Sequence, residues 1–94
     1  MKIRGFIWLD EVIEKIERKH GVRQADVREL FAKRPRFRFV EKGYRKAENV
    51  YAAFGQNNAG RHLVVFFVLK TSGNALILSA RDMTRAERKR HAKP

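Results

Sequence analysis

The chain has 94 residues and a formal net charge of +12, from 22 Lys and Arg against 10 Asp and Glu. Hydrophobic residues make up 44% and aromatics 11%, enough for one thin-cored domain spanning 1–94 and too much for wholesale disorder. The absence of Cys excludes a disulfide scaffold and a thiolate zinc site, and no apolar run approaches the roughly 18 residues of a membrane span.

In chain order, Lys2 to Trp8 predicts a short strand. Asp10 predicts a helix N-cap, with Glu11 and Glu14 suited to the positive end of the helix dipole. Leu9, Val12, Ile13 and Ile16 form the apolar stripe; Lys15, Arg18, Lys19 and His20 suit the far end, and Gly21 the stop. A second helix is expected from Gln24 to Lys33, burying Val27, Leu30 and Phe31 and halted by Pro35. The period then drops to two: Arg36-Phe37-Arg38-Phe39-Val40-Glu41 reads as a half-buried strand. A polar loop to Asn49 precedes a strand from Val50 to Phe54, a turn from Gly55 to Gly60, and a central strand from Leu63 to Leu69. Thr71-Ser72-Gly73-Asn74 predicts a hairpin turn into a last strand, Ala75 to Ala80. Thr84-Arg85-Ala86-Glu87 is a capping box opening a basic helix that runs to about His91. The order implies an α+β fold with helices on one face of a small antiparallel sheet.

The charge is one-sided. Residues 1–32 carry seven basic and six acidic side chains, whereas residues 33–94 carry 15 and four. Such a field favours a polyanion, nucleic acid above all, as partner, and would also serve an acidic protein that masks it. The opening residues, Met1 to Glu11, lack the long apolar stretch of a signal peptide, so a cytoplasmic location is expected.

Enzyme templates are mostly missing. Gly55, Gly60 and Gly73 fit no phosphate-loop fingerprint, and His20, His62 and His91 lack metal-ligand spacing, so neither metal nor cofactor is expected. Phosphodiester cleavage by an RNA 2′-hydroxyl suits the composition. It needs a base, an acid, and cations against developing phosphorane charge, a role for the arginine fork. If Gly73 turns a hairpin, Arg61 and His62 come beside Ala80 and Arg81, with Arg85 one helical turn beyond. Arg81 and Arg61 are then candidates to clamp phosphate, and His62 or Glu48 to move protons. Each also has a structural reading: Arg81 paired with Asp82 or Glu87, Arg61 and His62 on the surface, Glu48 a solvated carboxylate. Arg85, Arg88, Lys89 and Arg90 offer charge to an RNA backbone without reading sequence. Trp8 and Tyr51 are the aromatics expected to stack a base if exposed.

Five segments together resemble a known family: Phe6-Ile7-Trp8-Leu9-Asp10, Lys19-His20-Gly21-Val22, Tyr51-Ala52-Ala53-Phe54-Gly55-Gln56, Ala59-Gly60-Arg61-His62-Leu63-Val64-Val65, and Ile77 through Arg88. In order and spacing they resemble the BrnT-type toxins of bacterial type II toxin–antitoxin systems, within the wider RelE/ParE group. Ser79-Ala80-Arg81 followed by Thr84-Arg85-Ala86-Glu87-Arg88 is the most specific part. The resemblance implies a RelE-like fold, two N-terminal helices on a small antiparallel sheet with a short basic C-terminal helix. It also implies a ribonuclease that blocks translation, with the ribosome as a further expected partner. An antitoxin encoded alongside would neutralise it, and the pair would commonly repress its own operon. Arg81 and Arg85 fall on the family's C-terminal arginine motif, and His20 on its Lys-His-Gly turn. The chain departs from the family at Val50, where many relatives carry Arg, and at His62, where Tyr or Leu is common. The leading expectation is therefore a metal-independent RNA endonuclease. The alternatives are a non-catalytic RNA-binding module and a ParE-like toxin whose target is a protein, DNA gyrase.

Overall fold

The apolar stripe starting at Leu9 builds helix α1 (Asp10–His20), and Val27 and Leu30 anchor α2 (Gln24–Ala32). The computed structural model describes residues 1–92. Gly21 ends α1 in the left-handed conformation, φ 61°, which a residue without Cβ adopts freely. That turn sends the Gly21 N–H to the Glu17 carbonyl and the Val22 N–H to the Ile16 carbonyl, so two end carbonyls are satisfied and Val22 drops into the core.

Five strands follow the period-two segments: β1 (Gly5–Ile7), β2 (Arg36–Glu41), β3 (Val50–Gln56), β4 (His62–Leu69) and β5 (Asn74–Asp82). They form one sheet in the order β1-β5-β4-β3-β2. Leu63, Val65 and Phe67 of β4 face α1 and α2 and bury with Val12, Ile16, Val27, Leu30, Ala53, Ile77 and Ala80. Val64 of β4 faces the other way, into a smaller cluster with Ala52, Phe54 and Met83. The central strand is thus covered on both sides, as its unbroken apolar run predicts.

The expectation of helices on one face of an antiparallel sheet needs two corrections. β1 pairs with β5 in parallel, Phe6 beside Ala75 and Ile7 beside Leu76, so the sheet is mixed. Periodicity shows that β1 is extended but carries nothing about a partner some seventy residues away. The terminal helix α3 (Arg85–His91) lies on the face opposite α1 and α2: Glu87 reaches Arg81, and His91 stacks on Phe54. Its Thr84–Glu87 capping box forms as expected. Local bounds shift too. Leu9, not Asp10, is the N-cap of α1, β1 is shorter than expected, and β3 and β5 each run two residues further.

Candidate nucleic-acid interface

Strand alternation sorts the side chains of residues 36–82 onto two faces. The register aligns Arg81 with Val64, Val64 with Phe54, and Phe54 with Arg36, all facing away from α1 and α2. The next row on the same face is Ser79, Phe66, Ala52 and Arg38. α3 crosses over the first row and leaves the second beside it.

Arg81 is held from three directions. Its Nη1 donates to Glu87 Oε1 at 2.7 Å and to the Asp82 carbonyl at 3.0 Å, and its Nη2 donates to Glu87 Oε2 at 3.0 Å. The guanidinium carbon sits 5.4 Å from the centre of the Phe66 ring. Of the five N–H donors of an arginine, Nε–H and one Nη2 hydrogen stay uncommitted among the described residues. The Arg81 fork pulls the Glu87 carboxyl from 4.5 to about 2, with the capping bond from Thr84 N–H helping. Glu87 therefore stays a carboxylate down to strongly acidic pH and fixes both the start of α3 and the aim of Arg81.

At the other end of α3, the His91 ring stacks on Phe54, centroids 3.8 Å apart and planes 17° apart. Burial, then the positive charge of Arg38, Arg90 and Arg36, pushes the His91 imidazole below its ordinary pKa. Burial and the neighbouring cations thus both disfavour the charged imidazolium. Arg36, Arg38, Phe66 and His91 were not singled out from the sequence. The signal was present in Arg36-Phe37-Arg38-Phe39: strict alternation puts both arginines on one face and both phenylalanines on the other.

The residues expected to form one catalytic cluster are divided by the structure. Arg61 turns toward the α1–α2 turn. Its Nε and Nη2 hold Asp82 at 2.7 and 3.0 Å, Nη1 donates to the Gly21 carbonyl, and Nη2 also reaches the His20 carbonyl. That bidentate grip lowers the Asp82 carboxyl and raises the Arg61 guanidinium. Four of its five donors are engaged, so Arg61 ties the start of β4 to the end of α1 and has little left to clamp a phosphate. His62 falls opposite Gln56, on the α3 side. Its Nε2 is 3.4 Å from Gln56 Nε2, its Nδ1 is buried without a hydrogen-bond partner among the described residues, and it lines shallow clefts with Arg61, Asp82, Met83, Arg85, Arg88 and Lys89. The structure places His62 opposite Met83, three places from the register expected, and beside Arg88.

Glu48 is remote from that cluster. It receives Lys70 Nζ at 2.8 Å and the Thr71 N–H at 3.0 Å, and the Lys70 bond is the main reason its carboxyl is lowered. Lys70 follows the last residue of β4 and His62 is the first, so the two sites are separated by about 26 Å of strand at ~3.3 Å per residue. Glu48 cannot share one phosphate with His62; it pins the 42–49 loop to the β4–β5 turn. Trp8 and Tyr51 also lie on the wrong face for Arg81. Tyr51 is level with Phe67 and stacks on it, and Trp8 packs against the same helix-side core. The ring available beside Arg81 is Phe66. Arg85, Arg88, Lys89 and Arg90 sit on α3 with no ion pair among the described residues, as a solvated basic helix would.

Among the described residues, no group of three or more His, Asp or Glu side chains is arranged to hold a metal ion, and no helix is long and apolar enough to cross a membrane. A family model described as "Ribonuclease toxin, BrnT, of type II toxin-antitoxin system" matches residues 8–87. No curated protein matches the chain.

Proposed function

Because the chain belongs to the BrnT family of type II ribonuclease toxins, we propose that it cleaves RNA without a metal ion, on the sheet face crossed by α3, and thereby arrests translation. The observation that carries this reading is the Arg81 guanidinium over Phe66, aimed by Glu87 and flanked across the sheet by Arg38 and Arg36. An RNA strand laid along this face sets a base on Phe66 and its phosphates between the guanidinium groups. The free N–H donors of Arg81 bind the phosphate oxygens and stabilise the extra charge that builds in the phosphorane.

The chemistry then needs only proton transfers. The 2′-hydroxyl attacks its own 3′-phosphate and gives its proton to a neutral base, the role that His91 is suited to fill. The P–O5′ bond breaks, the departing oxygen takes a proton from water, and the products end in a 2′,3′-cyclic phosphate and a 5′-hydroxyl. Glu87, held near pKa 2, is a positioning residue and not the base. Arg85, Arg88, Lys89 and Arg90 add backbone affinity that weakens with salt. Cutting a message removes the template, and this stops protein synthesis.

The test is induced expression in a bacterium with genome-wide mapping of new RNA 5′ ends. Growth arrest with new ends that vanish in Arg81→Ala supports the reading. Arrest without new ends moves the target to a protein such as gyrase, and RNA binding without arrest or cleavage leaves a non-catalytic module.

A further inference from the structure

On the same face, beyond the Phe66 row, the register lines up Ile7, Leu76, Val68 and Val50 across four adjacent strands. All four are aliphatic and none is fully buried; Ile7 is 36% exposed. Leu78 joins them, and residues 41–45 and 48 form the far wall of a groove whose accessible volume is about 550 Å³. The aliphatic row spans four strands and meets Glu41 on the fifth, and such a contiguous, partly exposed apolar strip is a surface suited to a partner.

We infer that this row is the seat of an amphipathic, acid-flanked helix of the antitoxin. Three features select that occupant. The first is spacing. The row crosses strands at ~4.8 Å intervals, close to the ~5.4 Å helical pitch, so residues at i, i+3 or i+4, and i+7 of a helix meet successive strands. An added β-strand would instead run along an edge. The second is room. On β4 the row lies four residues from Val64, the residue beneath α3, or about 13 Å away. A helix of ~10–12 Å diameter fits beside α3 in that width. The third is charge. Lys42 and Arg45 line the groove against Glu41, Lys70 is neutralised by its 2.8 Å pair with Glu48, and Arg38 stands on the row beside it, so the groove keeps a small net positive charge that acidic flanks on the occupant complement. A second copy of this chain, at +12, repels itself.

A helix seated there covers the strip of Ser79, Phe66, Ala52 and Arg38 that separates the row from α3. Antitoxin binding and RNA binding then exclude each other by occupancy. The inference rests on membership of a toxin–antitoxin family, and it stands or falls apart from the catalytic roles proposed above.

The experiment uses the full chain and the antitoxin encoded beside it. Val68→Lys with Leu76→Lys is expected to weaken the antitoxin complex at least 100-fold, and Phe39→Ser, on the helix side of β2, to leave it unchanged. Neither variant touches Arg81, so RNA cleavage by the free chain reports separately on the nuclease reading. Methyl NMR of the wild-type complex serves if the double variant misfolds. The methyls of Ile7, Val50, Val68 and Leu76 are then expected to shift and to lose contact with a soluble paramagnetic probe. Wild-type affinity in a folded double variant, or methyls that stay open to the probe in the complex, overturns the inference. So does a free chain that dimerises through this row, which would give the face to a second copy.

Discussion

Replacing Arg61 by Ala separates two roles that the sequence alone assigns to one clamp. The side chain makes two bonds to Asp82 and one each to the carbonyls of Gly21 and His20. Asp82 is 61% exposed, so its ion pair is screened and contributes no more than about 1 kcal/mol. The two carbonyl bonds close the junction between α1 and β4 and contribute about 1 kcal/mol each. The sum is roughly 2–3 kcal/mol. For a domain of this size that lowers Tm by roughly 8–24 °C. Arg61→Lys keeps the charge but not the fork, and falls between. Thermal unfolding by circular dichroism measures the loss, and cleavage of a short RNA at a temperature where both proteins are folded measures function. The folded Arg61→Ala protein is expected to cut within about threefold of wild type, a change of under 1 kcal/mol in the barrier. An unchanged Tm with cleavage reduced more than 100-fold would refute this and return Arg61 to the clamp.

Acid should loosen the start of α3. Glu87 is lowered from 4.5 to about 2, so its stabilisation is complete above 4.5 and is lost as pH falls toward 2, at most about 3 kcal/mol. Glu87→Gln should flatten that part of the stability–pH curve. His91 is depressed below its ordinary 6.5, so the fold favours the neutral ring. Its contribution is complete above 6.5 and declines as pH drops below it; an NMR titration of the ring should give a midpoint under 6.5, and His91→Phe should keep the stack but remove the dependence. Phe54→Ala removes the floor of that stack and a buried ring, and chemical denaturation should show a loss of about 3–4 kcal/mol. Arg38→Ala removes one phosphate contact, and the slope of log K against log salt for single-stranded RNA should shrink by about 0.7.

Much of the fold was legible because the period changes cleanly. The step from 3.6 to two at Pro35 separates helices from sheet, and Thr84–Glu87 marks the start of α3 outright. What local pattern could not carry was pairing. The parallel contact of β1 with β5 joins segments some seventy residues apart, and a helix with no apolar stripe gives no hint of its face. The surroundings of the candidate residues were partly legible: the bond of Arg81 to Glu87 was one of the two pairings the sequence offered. Tyr51 was misplaced because a single aromatic does not announce its parity until its partner across the strand is known; Phe67 supplies it. Glu48 was misplaced because a loop carboxylate has no register at all. The alternation at Arg36 and Arg38 marks a strand with one charged face, but only the pairing of β2 with β3 shows that this face leads toward Arg81.

The central claim is that the chain itself cuts RNA, without a metal, through Arg81 on the open sheet face. The most direct measurement is cleavage of a uniformly labelled RNA by the purified chain in excess EDTA, beside Arg81→Ala and Arg81→Lys, with Tm measured for each. The account predicts wild-type cleavage leaving 2′,3′-cyclic phosphate ends, and a loss of at least 100-fold in both variants while Arg81→Lys, which keeps a cation opposite Glu87, stays folded. Cleavage that appears only when a divalent ion is restored, or that persists at the wild-type rate in a folded Arg81 variant, would contradict it.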